Sequence, residues 1–326
     1  MTDYKAIKGK TILSVASDLG NAEGEGEIWF NTATSDFKTI VSIGAWSTGG
    51  DLNTGRNALG GSGTQTAALA STGYIYPGGV TGNVEEYNGS AWSEQTNVTN
   101  ERYRLGACGT QTAGLIFGGI DLTADTEEYD GTNWAEQSNL NTAKSSQAGI
   151  GIQTAALCAG GQNPPPAVTE EVESYDGTSW TEEADLNTAR EEPEGAGITT
   201  AALVFGGDTA PSTEVAHSES FDGTSWTEGN NLNTARDDLG GAGVQTAALA
   251  IGGGVPAVAN EEIYDGTSWT EVADISTARY AADAAKAGTT KASLFMGGAA
   301  ALVATEEWTV ITTTGPGAQN VKIISD

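Results

Sequence analysis

Glu262-Ile-Tyr-Asp-Gly-Thr-Ser-Trp269 decides the fold, because the chain writes this phrase several times over. Tyr175-Asp-Gly-Thr-Ser-Trp180 and Phe221-Asp-Gly-Thr-Ser-Trp226 are near copies, and Tyr129-Asp-Gly-Thr-Asn-Trp134 and Tyr87-Asn-Gly-Ser-Ala-Trp92 are looser ones. An Asp-Gly or Asn-Gly pair between aromatic residues is a strong hairpin signal. Such a turn takes positive φ at its central positions, which Gly, Asn and Asp reach at least cost. The flanking aromatics suit half-buried, pleated strands. Recurrence at a near-constant interval makes the hairpin one part of a repeat architecture.

Working outward, the tryptophans recur as Trp46, Trp92, Trp134, Trp180, Trp226 and Trp269, every 42 to 46 residues. Gly-Gly doublets begin at Gly78, Gly118, Gly160, Gly206, Gly252 and Gly297. Between each Trp and the next doublet comes a second refrain, such as Asp185-Leu-Asn-Thr-Ala-Arg190 or Asn231-Leu-Asn-Thr-Ala-Arg236, followed by a Gly/Ala-rich stretch. Each unit therefore offers four short strands, in one unit 239–245, 247–251, 261–264 and 268–272. Gly and Ala are poor strand formers on an exposed sheet, and make sense where backbones crowd. Tyr and Trp need room. A wedge with a narrow inner edge and a broad outer one fits that gradient, and four-stranded wedges set radially make a β-propeller.

These motifs resemble kelch-type propellers, whose repeat carries a Gly-Gly doublet after the second strand, a Tyr in the third and a Trp in the fourth. Gly206-Gly207, Phe221 and Trp226 match in one unit, and Gly252-Gly253, Tyr264 and Trp269 in the next. The resemblance covers about residues 44–310, and neither Trp-Asp nor Gly-His of the WD40 type occurs. The last unit has Glu306-Glu-Trp308 but lacks the Asp-Gly-Thr-Ser-Trp phrase, while Ser42-Ile-Gly-Ala-Trp-Ser47 has no strands before it. The expectation is an all-β, six-bladed kelch-like propeller, its ring closed by this N-terminal strand, which removes an open edge. The expected organisation is an N-terminal arm over residues 1–38, the propeller over 39–310, and a C-terminal tail over 311–326. In the arm, strands are expected at 24–31 and 37–43 around a turn at 32–35. The tail carries one expected strand at 321–324.

With 14 Lys and Arg against 43 Asp and Glu, the formal charge of −29 disfavours nucleic acid and anionic membranes as partners. No apolar run approaches the ~18 residues of a membrane span. The basic start is followed by no apolar segment of signal-peptide length, so synthesis in a cytoplasm without a secretory signal is expected. Cys108 and Cys158 set no disulfide framework and read as small buried side chains. No loop has the Asp/Asn ladder of a dedicated Ca²⁺ site.

Reacting groups are scarce. The only histidine, His217, lies in an insert and reads as a loop residue; with two scattered cysteines it assembles no zinc site. It cannot supply the histidine pair that copper-radical oxidases among kelch propellers need. The pairs Glu85-Glu86, Glu127-Glu128, Glu170-Glu171, Glu261-Glu262 and Glu306-Glu307 recur once per unit. So do Arg56, Lys144, Arg190, Arg236 and Arg279, with Arg102 or Arg104 in the remaining unit. Such repetition implies basic and acidic rings that brace neighbouring blades, each pair contributing little where exposed. No catalytic, cofactor or metal residue is assigned. The units differ most after the doublets, at 162–168, 208–218 and 255–260, where recognition loops are expected.

The near-verbatim repeats resemble kelch-like structural proteins of tailed phages, notably marine and cyanobacterial ones. Tyr4-Lys-Ala-Ile-Lys-Gly-Lys-Thr-Ile12 and Gly26-Glu-Ile-Trp-Phe-Asn-Thr32 resemble attachment segments of phage tail and fibre proteins. The resemblance implies a non-enzymatic virion protein whose arm contacts other virion proteins. Its propeller loops would meet host-surface glycan or protein, and a homo-oligomer on the particle is a further expectation. The alternatives are a sugar-active kelch enzyme (mutarotase or lyase) and a secreted glycan-binding module. An Arg, Glu and Asn cluster breaking the repeat at one channel mouth would favour the enzyme, and none is visible along the chain.

Overall fold

A computed structural model describes residues 13–15, 28–33, 36–165, 167–210, 212–299 and 302–316. The chain divides into two units, Met1–Ala45 with Val310–Asp326, and Trp46–Thr309. In the first unit, Leu13–Val15 pairs parallel with Ile28–Asn31, which pairs antiparallel with the start of strand Asp36–Thr48. The expected strand at 321–324 lies outside the described residues.

The second unit is a six-bladed β-propeller, and no helix occurs among the described residues. Counting blades from Gly60, blade five shows the plan. Gly240–Val244, Ala247–Ile251, Glu261–Tyr264 and Trp269–Glu271 pair antiparallel in that order, within two residues of the expected spans. The other first strands are Gly60–Thr64, Gly106–Thr110, Ala148–Ile152, Glu194–Ile198 and Asp283–Ala284. Each packs beside the next, and the last returns to the first, so the inner strands ring the axis. Crowding there explains their composition: a Cβ on Gly149 would sit 2.5 Å from the backbone of Ala107, and one on Gly61 2.3 Å from the Ala284 carbonyl.

Second strands such as Ala247–Ile251 are buried on both faces, because each blade is covered by two neighbours. Their run of small and branched apolar residues follows from this double burial. The core lies between blades. Leu69, Val84 and Leu105 of blades one and two pack with Ile116, Tyr129 and Trp134. Ala68, Leu59 and Trp92 of blade one pack with Leu294 and Met296 of blade six. In the fourth strands only the Trp is buried, and the two residues after it face solvent.

Blade six closes the ring as expected. Its third strand is Thr305–Pro316, and its fourth is the end of Asp36–Thr48 that carries Trp46. The Gly49 N–H donates to the Thr305 carbonyl at 2.8 Å. The Trp46 ring lies 5.6 Å from Trp308 and 6.4 Å from Phe295. Unlike the other repeat tryptophans, Trp46 is only half-buried.

The structure differs from the sequence expectation at two turns. The aromatic phrase is not a two-residue turn with positive φ at both centres, since Tyr264 pairs with Trp269 across four residues. Only its glycine is left-handed (Gly266, φ 91°), while the Asp265 carboxylate accepts the N–H groups of Thr267 and Ser268 at 2.8 and 2.7 Å. Asp is selected there as an acceptor. In blade one, Gly78-Gly79 is not the doublet. Thr72 (φ 60°) and Gly73 (φ 120°) occupy its left-handed positions, and Gly79 begins the second strand of a small inserted hairpin.

Candidate functional site at the propeller axis

In every blade a cation on the entering loop is buried against a third-strand glutamate: Arg56 on Glu85 (3.3 Å), Arg102 on Glu127 (3.0 Å) and Lys144 on Glu173 (3.6 Å). Arg190 pairs with Glu219, Arg236 with Glu262 (3.1 Å) and Arg279 with Glu306 (2.6 Å). The same carboxylate collects loop N–H groups. Glu173 accepts from the Asn141 backbone (2.7 Å), the Asn141 side chain (3.0 Å) and the Thr142 backbone (3.1 Å). The Leu-Asn-Thr-Ala-Arg refrain is thereby explained, with Leu140 in the core, Asn141 and Thr142 donating, and the terminal cation neutralising.

These pairs do not brace neighbouring blades, as their repetition implied. They are fully buried, and they staple each entering loop to its own blade. The stapling glutamates of blades three and four are Glu173 and Glu219, and Lys144 also meets the Glu171 carboxylate at 3.6 Å. Contact between blades falls to other residues: Tyr87 donates to Glu307 (2.6 Å), Tyr129 to Glu86 (3.0 Å) and Tyr175 to Glu128 (3.1 Å). Where blade four has Phe221 instead of Tyr, blade three has Ser174 in place of the acceptor.

Arg102 serves as the staple of blade two, which leaves Arg104 for another place. Two residues before each first strand stands a non-glycine residue in the left-handed region: Ala58 (φ 48°), Arg104 (56°), Ser146 (56°), Glu192 (53°), Asp238 (48°) and Ala281 (49°). Such a conformation costs about 1–2 kcal/mol per residue, and the surrounding bonds hold it. Arg104 N–H donates to Ala58 C=O (3.0 Å), Ser146 to Arg104 (2.8 Å) and Glu192 to Ser146 (2.8 Å). Ala281 donates to Asp238 (2.9 Å), and Ala58 to Ala281 (2.6 Å). The residues form a collar around the axis.

The collar side chains are unequal. Arg104 is ion-paired with Glu192 and donates to the Ser146 hydroxyl at 3.5 Å. Burial, then Asp238, pushes the Glu192 carboxyl well above the usual range against the pull of Arg104. Burial likewise raises Asp238. Burial lowers Arg104, but Glu192, Asp238 and Glu191 outweigh it and hold the guanidinium above its usual value.

Below the collar is an axial cavity of about 70 Å³. Lys286 reaches across it to Glu194 (2.5 Å) and Asp283 (2.8 Å), where the other blades have Gly or Ala in place of the two acids. Gln147 also lines this cavity and is 5 % exposed; its amide donates to the Phe117 carbonyl at 2.7 Å, and its Oε1 has no partner in the protein.

Above the collar is a funnel of about 370 Å³, lined by Tyr74, Tyr103, Tyr280 and Ile120 together with Arg104 and Asp238. The Tyr74 and Tyr103 rings lie 5.3 Å apart. In blades four and five the residues before the collar are Glu191 and Asp237, and Asp208 bridges to Glu191. The mouth is thus aromatic toward blades six, one and two, and acidic toward four and five. Burial first, then Asp238, pushes Asp237 up to about 6, and both Asp208 and Asp237 keep a buried carboxylate oxygen without a partner. The variable inserts start at Gln162, Asp208 and Gly254, each bonded to the residue preceding its collar position, so they leave the ring around this mouth.

Reading the sequence in register two places after each recurrent cation shows the departures: Ala58, Arg104, Ser146, Glu192, Asp238, Ala281. Along the chain each stands beside an ordinary repeat residue of its own unit, so no pattern-breaking cluster is legible there. Among the described residues no group of His, Cys, Asp and Glu is arranged to hold a metal ion. Cys108 and Cys158 are buried in one core cluster, and burial pushes both thiols up to about 12. His217 lies half-buried in its insert, where its carbonyl accepts from Arg190 at 3.1 Å. Against known proteins, the chain matches no family model and no curated sequence.

Proposed function

We propose that this chain is a non-enzymatic recognition propeller, kelch-like in its repeat, displayed on a tailed-phage particle and anchored by its N-terminal arm. The observation that carries the recognition reading is the axial mouth. Six near-identical units place their charged and aromatic departures at one end of the axis, within the loops that vary. The virion setting is supported by the resemblance of the repeats and of residues 1–38 to phage structural proteins. Its partners are other virion proteins through the arm, and a host-surface glycan or protein at the loop face. Mass spectrometry and immunogold labelling of purified particles test this: the chain should be a stoichiometric component with its loop face accessible. Absence from particles made by cells that express it would overturn the reading.

A sugar-active enzyme is the second reading, and the same mouth favours it. Glu192 and Asp238 beside Arg104 offer carboxyls with raised proton affinity, which general acid–base chemistry uses. Turnover or anomer exchange of any saccharide by the full chain, abolished by Asp238→Asn, would replace the first reading.

A further inference from the structure

The mouth has a chemical polarity that its own residues leave unanswered. One cation, Arg104, faces Glu192 and Asp238 directly, with Glu191, Asp208 and Asp237 behind them. Three buried acceptors in and beside this region lack a partner: Gln147 Oε1 in the axial cavity, and Asp208 Oδ1 and Asp237 Oδ1 on the acidic side. An acceptor without a donor is costly to bury, and a buried carboxylate without a counter-charge more so. Across from them stand three tyrosines, and an aromatic face attracts a cation within about 6 Å.

Resting on the reading of the chain as a binding module, we propose that the axial mouth binds a small organic cation. Its protonated amine meets Asp238 and the collar, and its compact body lies against Tyr74, Tyr103 and Tyr280. Both spaces share Ala58, Arg104, Asp238 and Ala281 in their walls, so an ammonium at the collar stands at the entrance to the cavity holding Gln147. The funnel volume falls within the ~300–1,000 Å³ usual for small-molecule sites. Carboxylates spread around an axis, with no metal-holding group among the described residues, fit a diffuse organic charge better than a bare divalent ion.

Calorimetry on the full chain tests this with two amines, glucosamine and phenethylamine, against their neutral counterparts glucose and 2-phenylethanol, and against Ca²⁺. At least one amine should bind with one-to-one stoichiometry, at least tenfold more tightly than its neutral counterpart, and more weakly as salt rises. Which amine binds distinguishes a sugar body from an aromatic one. Asp238→Asn should weaken binding at least tenfold while keeping the fold, since Asn tolerates the left-handed backbone of this position. Tyr74→Ala should weaken it severalfold. Arg104→Gln should tighten it severalfold by removing the competing cation, a gain that a purely structural role would not produce. Equal binding of amine and neutral counterpart, no binding of either amine, or Ca²⁺ binding abolished by Asp238→Asn would each overturn the proposal. Particle labelling is a separate measurement, so the virion assignment stands or falls independently.

Discussion

The indole N–H of Trp46 donates to a carboxyl oxygen of Glu261 at 2.5 Å, joining residues 215 positions apart. Trp46 lies on the fourth strand of blade six and Glu261 on the third strand of blade five, so this bond lies on the route by which the ring closes. Trp46→Ala should destabilise the propeller by about 2–3 kcal/mol, at or below the low end for a buried Trp because this ring is half-buried. Trp46→Phe, which keeps a ring against Trp308 but loses the bond, should cost less. Denaturant unfolding measures both, and a Trp46→Ala chain as stable as the parent would remove this strand from closure.

Burial pushes the same Glu261 carboxyl up to about 9, and the Trp46 bond and Arg236 only partly offset it. Asp237 rises to about 6, and burial also raises Glu192 and Glu194. A raised carboxyl binds its proton more tightly in the folded state, so stability falls as pH climbs from the unfolded value to the folded one. For Glu261 that window runs from 4.5 to about 9. The turn aspartates Asp130, Asp176, Asp222 and Asp265 act oppositely, because N–H donation lowers them and their contribution is lost on acidification below their usual 3.8. Tm should therefore peak at about pH 4–5 and decline toward pH 9. Glu261→Gln should decline less than the parent over that range; an identical decline would show that Glu261 carries no proton at neutral pH.

Arg190 and Glu219 form a wholly buried pair, and Glu219 also accepts the Asn187 N–H at 2.7 Å. Arg190→Ala leaves a carboxylate buried without its counter-charge and should cost about 3–5 kcal/mol. Arg104, in the collar two residues beyond a refrain and with its side chain 38 % exposed, should cost far less when changed to Gln. Urea titrations of the two variants compare them directly, and equal losses would mean that staple and collar are not separate roles.

Tyr129 and Glu86 meet across blades one and two at 3.0 Å, whereas blades three and four have Ser174 and Phe221 in their places. Tyr129→Phe and Glu86→Ser should each destabilise by about 1.5–3 kcal/mol, as loss of a hydrogen bond to a charged group does. The double variant reproduces the pair already present between blades three and four, so its loss should fall short of the sum. Strict additivity in the double-mutant cycle would deny the pairing.

The sequence by itself determined the number of blades, their strand order and the closing strand. Each of these follows from local periodicity: Asp-Gly turns, doublets, and a Trp46 strand without partners before it. It also led to the buried tryptophans, because aromatic spacing reports the blade directly. The doublet of blade one was misread at Gly78 because Thr72 takes a left-handed position that composition assigns to glycine. Whether a recurring charge is exposed or buried was likewise hidden, since burial depends on the neighbouring blade. The axial mouth was decided by tertiary structure alone. Arg104, Glu192 and Asp238 lie 46 or more residues apart, and no local pattern couples them. Radial arrangement of the blades brings one residue from each unit to a single axis, so departures scattered along the chain become neighbours only when the ring closes.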